Sequence, residues 1–140
     1  MHGCFPSAVI ARRSFLPSTW IPSPSYSSSE TVDYGLAAMA YCDSPPRNAA
    51  GRHIGDQLLR SATSVAANYA EATEAESPAD FVHKLKIAQK ELKESRVWLL
   101  FARRLVPGDP VEKLRGESWE STRMIGASIN TAVNRQTKES

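Results

Sequence analysis

Cysteine pairs, glycine-rich loops, clustered histidines and long apolar runs are all scarce in this chain, and each shortage removes a class of function. Its two cysteines, Cys4 and Cys42, stand in unrelated contexts without a C-x-x-C spacing. They supply neither a zinc knuckle nor a disulfide framework, and a reducing, cytoplasmic setting is expected. No apolar run approaches the roughly 18 residues that a membrane span needs. No glycine-rich phosphate loop is present. A nucleophilic triad requires a histidine between a nucleophile and an orienting acid, and only His53 and His83 lie where the chain is expected to fold. A carboxylate di-iron site in a helical bundle requires Glu on two helices and Glu-x-x-His on the other two. Here "DFVH", residues 80–83, is the one acid-x-x-His, and its Asp stands at a helix start that favours Asp anyway. The expectation is a non-enzymatic protein without metal, cofactor or membrane.

What is present divides the chain near residue 30. Residues 1–29 hold eight serines, Pro6, Pro17, Pro22, Pro24, Arg12 and Arg13, and no acidic residue. A basic, Ser-rich, acid-free leader is also the composition of an organellar transit peptide. The arginines of "AVIARRSF" follow the short apolar stretch instead of preceding it, which excludes a secretory signal. The four prolines forbid a continuous helix and no apolar periodicity is available for packing. Residues 1–29 are therefore expected to be a disordered leader, and residues 30–137 the folded unit. The chain has 140 residues, 41% of them apolar and 23% charged, the composition of one ordinary globular domain.

From residue 30 onward the apolar pattern is helical. The first segment, about 29–42, places Val32, Leu36 and Met39 at helical spacing before "DSPPRNAAG" breaks it. The second, about 53–76, has the inward stripe Ile54, Leu58, Ala62, Val65, Tyr69 and Ala72. "SPAD" opens the third, with Ser77 as N-cap, Pro78 in the first turn and Asp80 at the positive end of the helix dipole. Its stripe is Phe81, Leu85, Ala88, Leu92, Ser95, Leu99 and Ala102, and "VPGDP" stops it at Val106 or Pro107. The fourth, about 111–135, turns Leu114, Ile125, Ile129 and Val133 inward with Trp119 and Met124 nearby, while Gly116 and Gly126 weaken its continuity. No segment alternates as a half-buried strand does. Helices of roughly 25 residues span about 37 Å, and four of them imply an all-α, up-down-up-down antiparallel four-helix bundle.

The second helix raises its own question. "RSATSVAANYAEATEAES", residues 60–77, has no large aliphatic side chain except Val65, yet neither Gly nor Pro. Arg60, Ser64, Asn68 and Glu71 step by four, four and three, and so share one side. With Ala67 they form a candidate close contact, between helices or between subunits, because small residues let another backbone approach where Leu would hold it off. A solvated polar face would have the same spacing.

"QLLRSATSVAANYAEA", residues 57–72, resembles the pattern Q-L-x-R-A-x-x-S-I-P-A-N-I-A-E-G of the four-helix-bundle proteins read from intervening sequences of bacterial 23S rRNA genes. "DFVHKLKIAQKELKE", residues 80–94, resembles the same family's stretch from [KE]-[ED]-F to S-L-x-E. Ala66 stands where the family has Pro and Ala72 where it has Gly; both departures should leave the second helix straighter and longer. The family's W-Q-K-A opening is missing from the first helix. The resemblance covers about residues 55–135. It implies a homopentamer around a central pore, a basic surface and a role with nucleic acid. The related accessory proteins of diversity-generating retroelements, pentameric bundles that bind a reverse transcriptase and nucleic acid, make a reverse transcriptase an implied partner too.

Charge is distributed in keeping with that. The formal net charge is only +2. Between residues 81 and 105, however, Lys84, Lys86, Lys90, Lys93, Arg96, Arg103 and Arg104 face only Glu91 and Glu94. These seven are the candidate contacts to RNA or DNA phosphates, each adding a salt-sensitive counterion-release contribution. No base-reading motif accompanies them. Two functions remain open at this point: an oligomeric nucleic-acid scaffold, or an oligomeric structural or protein-binding module that makes no nucleic-acid contact.

Overall fold

In the computed structural model, residues 28–43 and 46–140 are described. The expected leader lies outside the described residues as far as residue 27, and Ser28 and Ser29 already belong to the first helix. Four α-helices follow in order: α1 Ser28–Cys42, α2 Ala49–Thr73, α3 Pro78–Leu105 and α4 Asp109–Glu139. No strand occurs among the described residues. The chain is an all-α four-helix bundle.

Local chemistry sets the helix ends. Ser77 Oγ accepts from Asp80 N–H at 3.1 Å, and Pro78 occupies the first turn of α3. At the other end of α3 the Val106 N–H returns to the Ala102 carbonyl, and Gly108 turns the chain at φ 151°. α2 starts earlier than the sequence pattern indicates, at Ala49, because the Asn48 side chain accepts from Gly51 N–H at 2.8 Å and caps the helix inside the "DSPPRNAAG" stretch. Gly51 is required there: a Cβ would stand 2.0 Å from the Pro46 carbonyl oxygen. α2 also ends at Thr73, before residue 76, since Asp80 Oδ2 takes the Glu76 N–H in the turn to α3. α4 runs unbroken through Gly116 and Gly126 and is longer than expected at both ends.

α2 packs on α1 and on α3, α3 packs on α4, and the thinner α1–α4 seam closes the square. Cross-helix contacts run antiparallel between neighbours, as in Arg60 with Glu94 across α2–α3 and Arg103 with Glu112 across α3–α4. The inward stripes of α2 and α3 are buried as their spacing indicates. On α4, Leu114, Ile125 and Ile129 are buried and Val133 is half-buried, but Trp119 is exposed.

α1 departs from its expected orientation. Val32, Leu36 and Met39 are exposed by 46%, 54% and 48%, while Thr31, Tyr34, Gly35, Ala38 and Tyr41 face the core. Both sets have helical spacing, so periodicity alone could not separate them. The set that wins has small residues where α1 nears α2: a Cβ on Gly35 would lie 3.7 Å from Thr63. It also has two phenols with places to donate. The Tyr34 hydroxyl lies 2.7 Å from Ser95 Oγ, and because Ser95 Oγ donates to the Leu92 carbonyl, the tyrosine is the donor. The Tyr41 hydroxyl reaches the Val106 carbonyl at 3.4 Å. Burial pushes the Tyr34 phenol up to about 12, with Ser95 and Ser118 hydrogen bonds opposing the shift.

Candidate nucleic-acid interface

The inward stripe of α3 leaves an outward one at the complementary spacing, and Lys86, Lys90 and Lys93 lie along its first half. All three are exposed and make no ion pair among the described residues. The two acids nearest these lysines, Glu91 and Glu94, turn aside toward α2. Arg60 of α2 pairs with Glu94 and, at 3.5 Å, with Glu91. Glu94 also accepts from the Trp98 indole N–H at 3.2 Å. These donors, Arg60 first and Trp98 second, hold its carboxyl below the usual range. The outward lysines therefore keep their charge uncompensated on their own face.

The other four basic candidates divide. Lys84 is tied to Glu71 across the α2–α3 seam, which holds its ammonium above the usual value. Arg96 lies over the Trp119 ring, its guanidinium carbon 3.8 Å from the centroid, and its Nη1 reaches Thr122 Oγ1 at 3.5 Å. Arg103 pairs with Glu112 at 2.7 Å, and Glu112 also binds Arg115 at 2.8 Å. Arg104 is exposed and makes no ion pair among the described residues. Of the seven, four are open for an external anion.

The thin side of α2 also resolves. Ser64 Oγ donates to the Arg60 carbonyl at 2.7 Å and Asn68 Nδ2 to the Ser64 carbonyl at 2.9 Å, so both polar groups are satisfied within their own helix. Arg60 and Glu71 reach across to α3 and bind the helix pair together. Ala67 is exposed.

Sequence periodicity missed the second half of the outward stripe. Past Lys93 the same steps bring Val97, Leu100, Phe101 and Arg104 outward, with Val97, Leu100 and Phe101 about half exposed. The signal was the unbroken continuation of the lysine spacing into apolar residues. Trp98 sits beside them, edge-on to His53 with centroids 5.5 Å apart and 5.7 Å from the Phe101 ring.

Among the described residues no group of His, Cys, Asp and Glu could hold a metal ion, and no helix is long and apolar enough to cross a membrane. Cys42 is half-buried, its thiol pushed up to about 11 by burial and by Asp43 and Asp56, and it donates to the Gly55 carbonyl. The cleft beside it, about 480 Å³, is lined by Met39, Asp43, Arg52 and Asp56 among others. It gathers no set of groups with an evident reaction.

Residues 36–138 match the family model described as 23S rRNA-intervening sequence protein. A solved structure of a protein with unknown function from the S23 ribosomal protein family of Bacteroides thetaiotaomicron is similar, at 27% identity and a TM-score of 0.65. The similarity covers 73% of this chain and 96% of that one. No curated protein matches the chain.

Proposed function

We propose that this chain, which belongs to the 23S rRNA-intervening sequence protein family, is a non-enzymatic, self-assembling scaffold that holds nucleic acid by its phosphates. The observation that carries the reading is the stripe of Lys86, Lys90 and Lys93, exposed, aligned and free of carboxylate partners among the described residues. Aligned cations of this kind bind a polyanion without reading its bases, and the affinity falls with added salt. Assembly of copies, five on the family resemblance, multiplies such a weak stripe into an avid surface without any new contact. The exposed apolar half of α3 supports the assembly part, since scattered single exposures are ordinary but grouped ones mark interfaces.

The test is a titration of fluorescently labelled single-stranded RNA at several salt concentrations. Binding that weakens linearly in log–log form is expected. Lys86→Glu with Lys90→Glu should flatten the slope by about 1.4, at roughly 0.7 per phosphate contact on single strands. No binding even at low salt would refute the reading.

A further inference from the structure

The eight large apolar side chains exposed among the described residues fall into two groups and nowhere else. One is Val32, Leu36 and Met39 on the outer face of α1. The other is Val97, Leu100, Phe101 and Leu105 on the second half of α3, with Trp119 of α4 beside them. α1 and α3 are not packing neighbours; they sit diagonally, meeting across the core through Tyr34 and Ser95. The two patches therefore look away from each other on opposite sides of the protomer.

Their charges differ in sign. α1 carries Glu30 and Asp33 and has neither Lys nor Arg, and Asp43 follows it directly. Asp33 and Asp43 are exposed and make no ion pair among the described residues; Arg47 and Arg52 border the Met39 end of the patch, so its negative charge is strongest at the Asp33 end. Residues 95–105 contain Arg96, Arg103 and Arg104 with no acid of their own; Glu112 of α4 pairs with Arg103 and Arg115, which leaves Lys93 and Arg104 as the open positive charges of this face. The hollow between α3 and α4 has the same character, with Lys93, Arg96 and Arg115 around Val97, Leu100 and Trp119.

From this we infer that the acidic–apolar face of α1 docks on the basic–apolar face of α3 and α4 in a second copy of the same chain. The occupant follows from charge. Pairing α3 with α3 would bring Lys93 and Arg104 against their own counterparts, and pairing α1 with α1 would do the same with Asp33. Like charges across a dry patch cost association, whereas the unlike pairing joins opposite signs over matched apolar surface. A contact between two different faces is heterologous, so every protomer in it still offers one free face to the next. The inference rests on the reading of the chain as a self-assembling scaffold, and names the surface that does it. It also divides α3: Lys86 and Lys90 remain clear of the contact and open to phosphate.

Two full-length variants test it by sedimentation at tens of micromolar. Leu36→Lys with Met39→Lys spoils the α1 face, and Leu100→Lys with Phe101→Lys spoils the α3 face. All four sites are solvent-exposed in the protomer, and an unchanged helical spectrum checks folding; Leu36→Ser and Leu100→Ser replace the pair if a lysine variant fails that check. Wild type should be an oligomer and each variant a monomer alone. Mixed in equal amounts they should form a one-to-one dimer, since one intact α1 face then meets one intact α3 face. Either variant self-associating as wild type does, a mixture that stays monomeric, or a monomeric wild type would overturn the inference. Lys86→Glu with Lys90→Glu separates it from the nucleic-acid reading: that variant should lose RNA affinity and keep the wild-type mass.

Discussion

The two halves of α3 have one inward face and two outward ones. Inward, Phe81 and Leu85 in the first half are as buried as Leu99 and Ala102 in the second, or nearly so. Outward, the same four-and-three steps carry lysines up to residue 93 and then Val97, Leu100 and Phe101. Core packing demands an apolar residue at every inward step, and it constrains the outward steps very little. The outward face is consequently where function can be written at low cost to the fold. The face changes from lysine to apolar side chains along one helix with no change in the core beneath it, and that change is the ground on which phosphate contact is proposed for one half and self-association for the other.

The comparison breaks first at the core if it is wrong. Leu85→Ala and Leu99→Ala each remove a fully buried side chain, one under each half, and each should destabilise the protomer by about 2–5 kcal/mol in chemical denaturation. The two losses should be alike. A Leu99→Ala cost under about 1 kcal/mol would show that the second half is not anchored inward, and its exposed side chains would need another account.

The junction of the halves is Ser95, and the Tyr34 hydroxyl donates to it. A phenol whose pKa is raised on folding stabilises the protein fully below its unfolded value and loses that contribution as pH rises through the folded one. Here the window is about pH 10 to 12, with a loss of about 2–3 kcal/mol across it. Tyr34→Phe should remove that part of the alkaline slope. Cys42 is shifted in the same direction at slightly lower pH, so the comparison of variant with wild type is what isolates the tyrosine. An identical slope in Tyr34→Phe would place the phenol outside the buried network.

Much of this was legible in the sequence, in unequal measure. The inward stripes of α2 and α3 read correctly because each has one apolar phase that is clearly stronger than the others. α1 did not, because Val32, Leu36 and Met39 form the more hydrophobic phase yet lie outside. The phase that packs has tyrosines, Ala and Gly, whose fit depends on Ser95 and on the close approach of α2, which come from elsewhere in the chain. The seven basic candidates were readable as a cluster, but their ion pairs were not. Glu71 and Glu112, on other helices, take Lys84 and Arg103 out of the set, and Trp119 takes Arg96.

The ends of α3 offer a smaller test. Its start is held by a side chain, Ser77, and its end by backbone, the Val106 N–H on Ala102. Ser77→Ala should cost about 1 kcal/mol, read as a lower thermal midpoint with RNA affinity and oligomer mass unchanged. A lost RNA affinity would mean that the register of the lysine stripe depends on this cap.

The smallest expected effect separates two lysines on the same half. Lys84 and Lys90 are six residues apart in the charge-rich stretch, and composition treats them alike. Lys84 is bound to Glu71 across the seam, whereas Lys90 has no such partner among the described residues. Releasing Lys84 to a phosphate would leave Glu71 facing that phosphate unpaired, so little net gain is available from it. Lys90→Gln should therefore lower the salt slope of RNA binding by about 0.7, the share of one contact on a single strand. Lys84→Gln should leave that slope where it is, and neither change should move the oligomer mass. Equal slopes lost by both variants would mean that total charge governs binding and that the alignment of the outward stripe has no part in it.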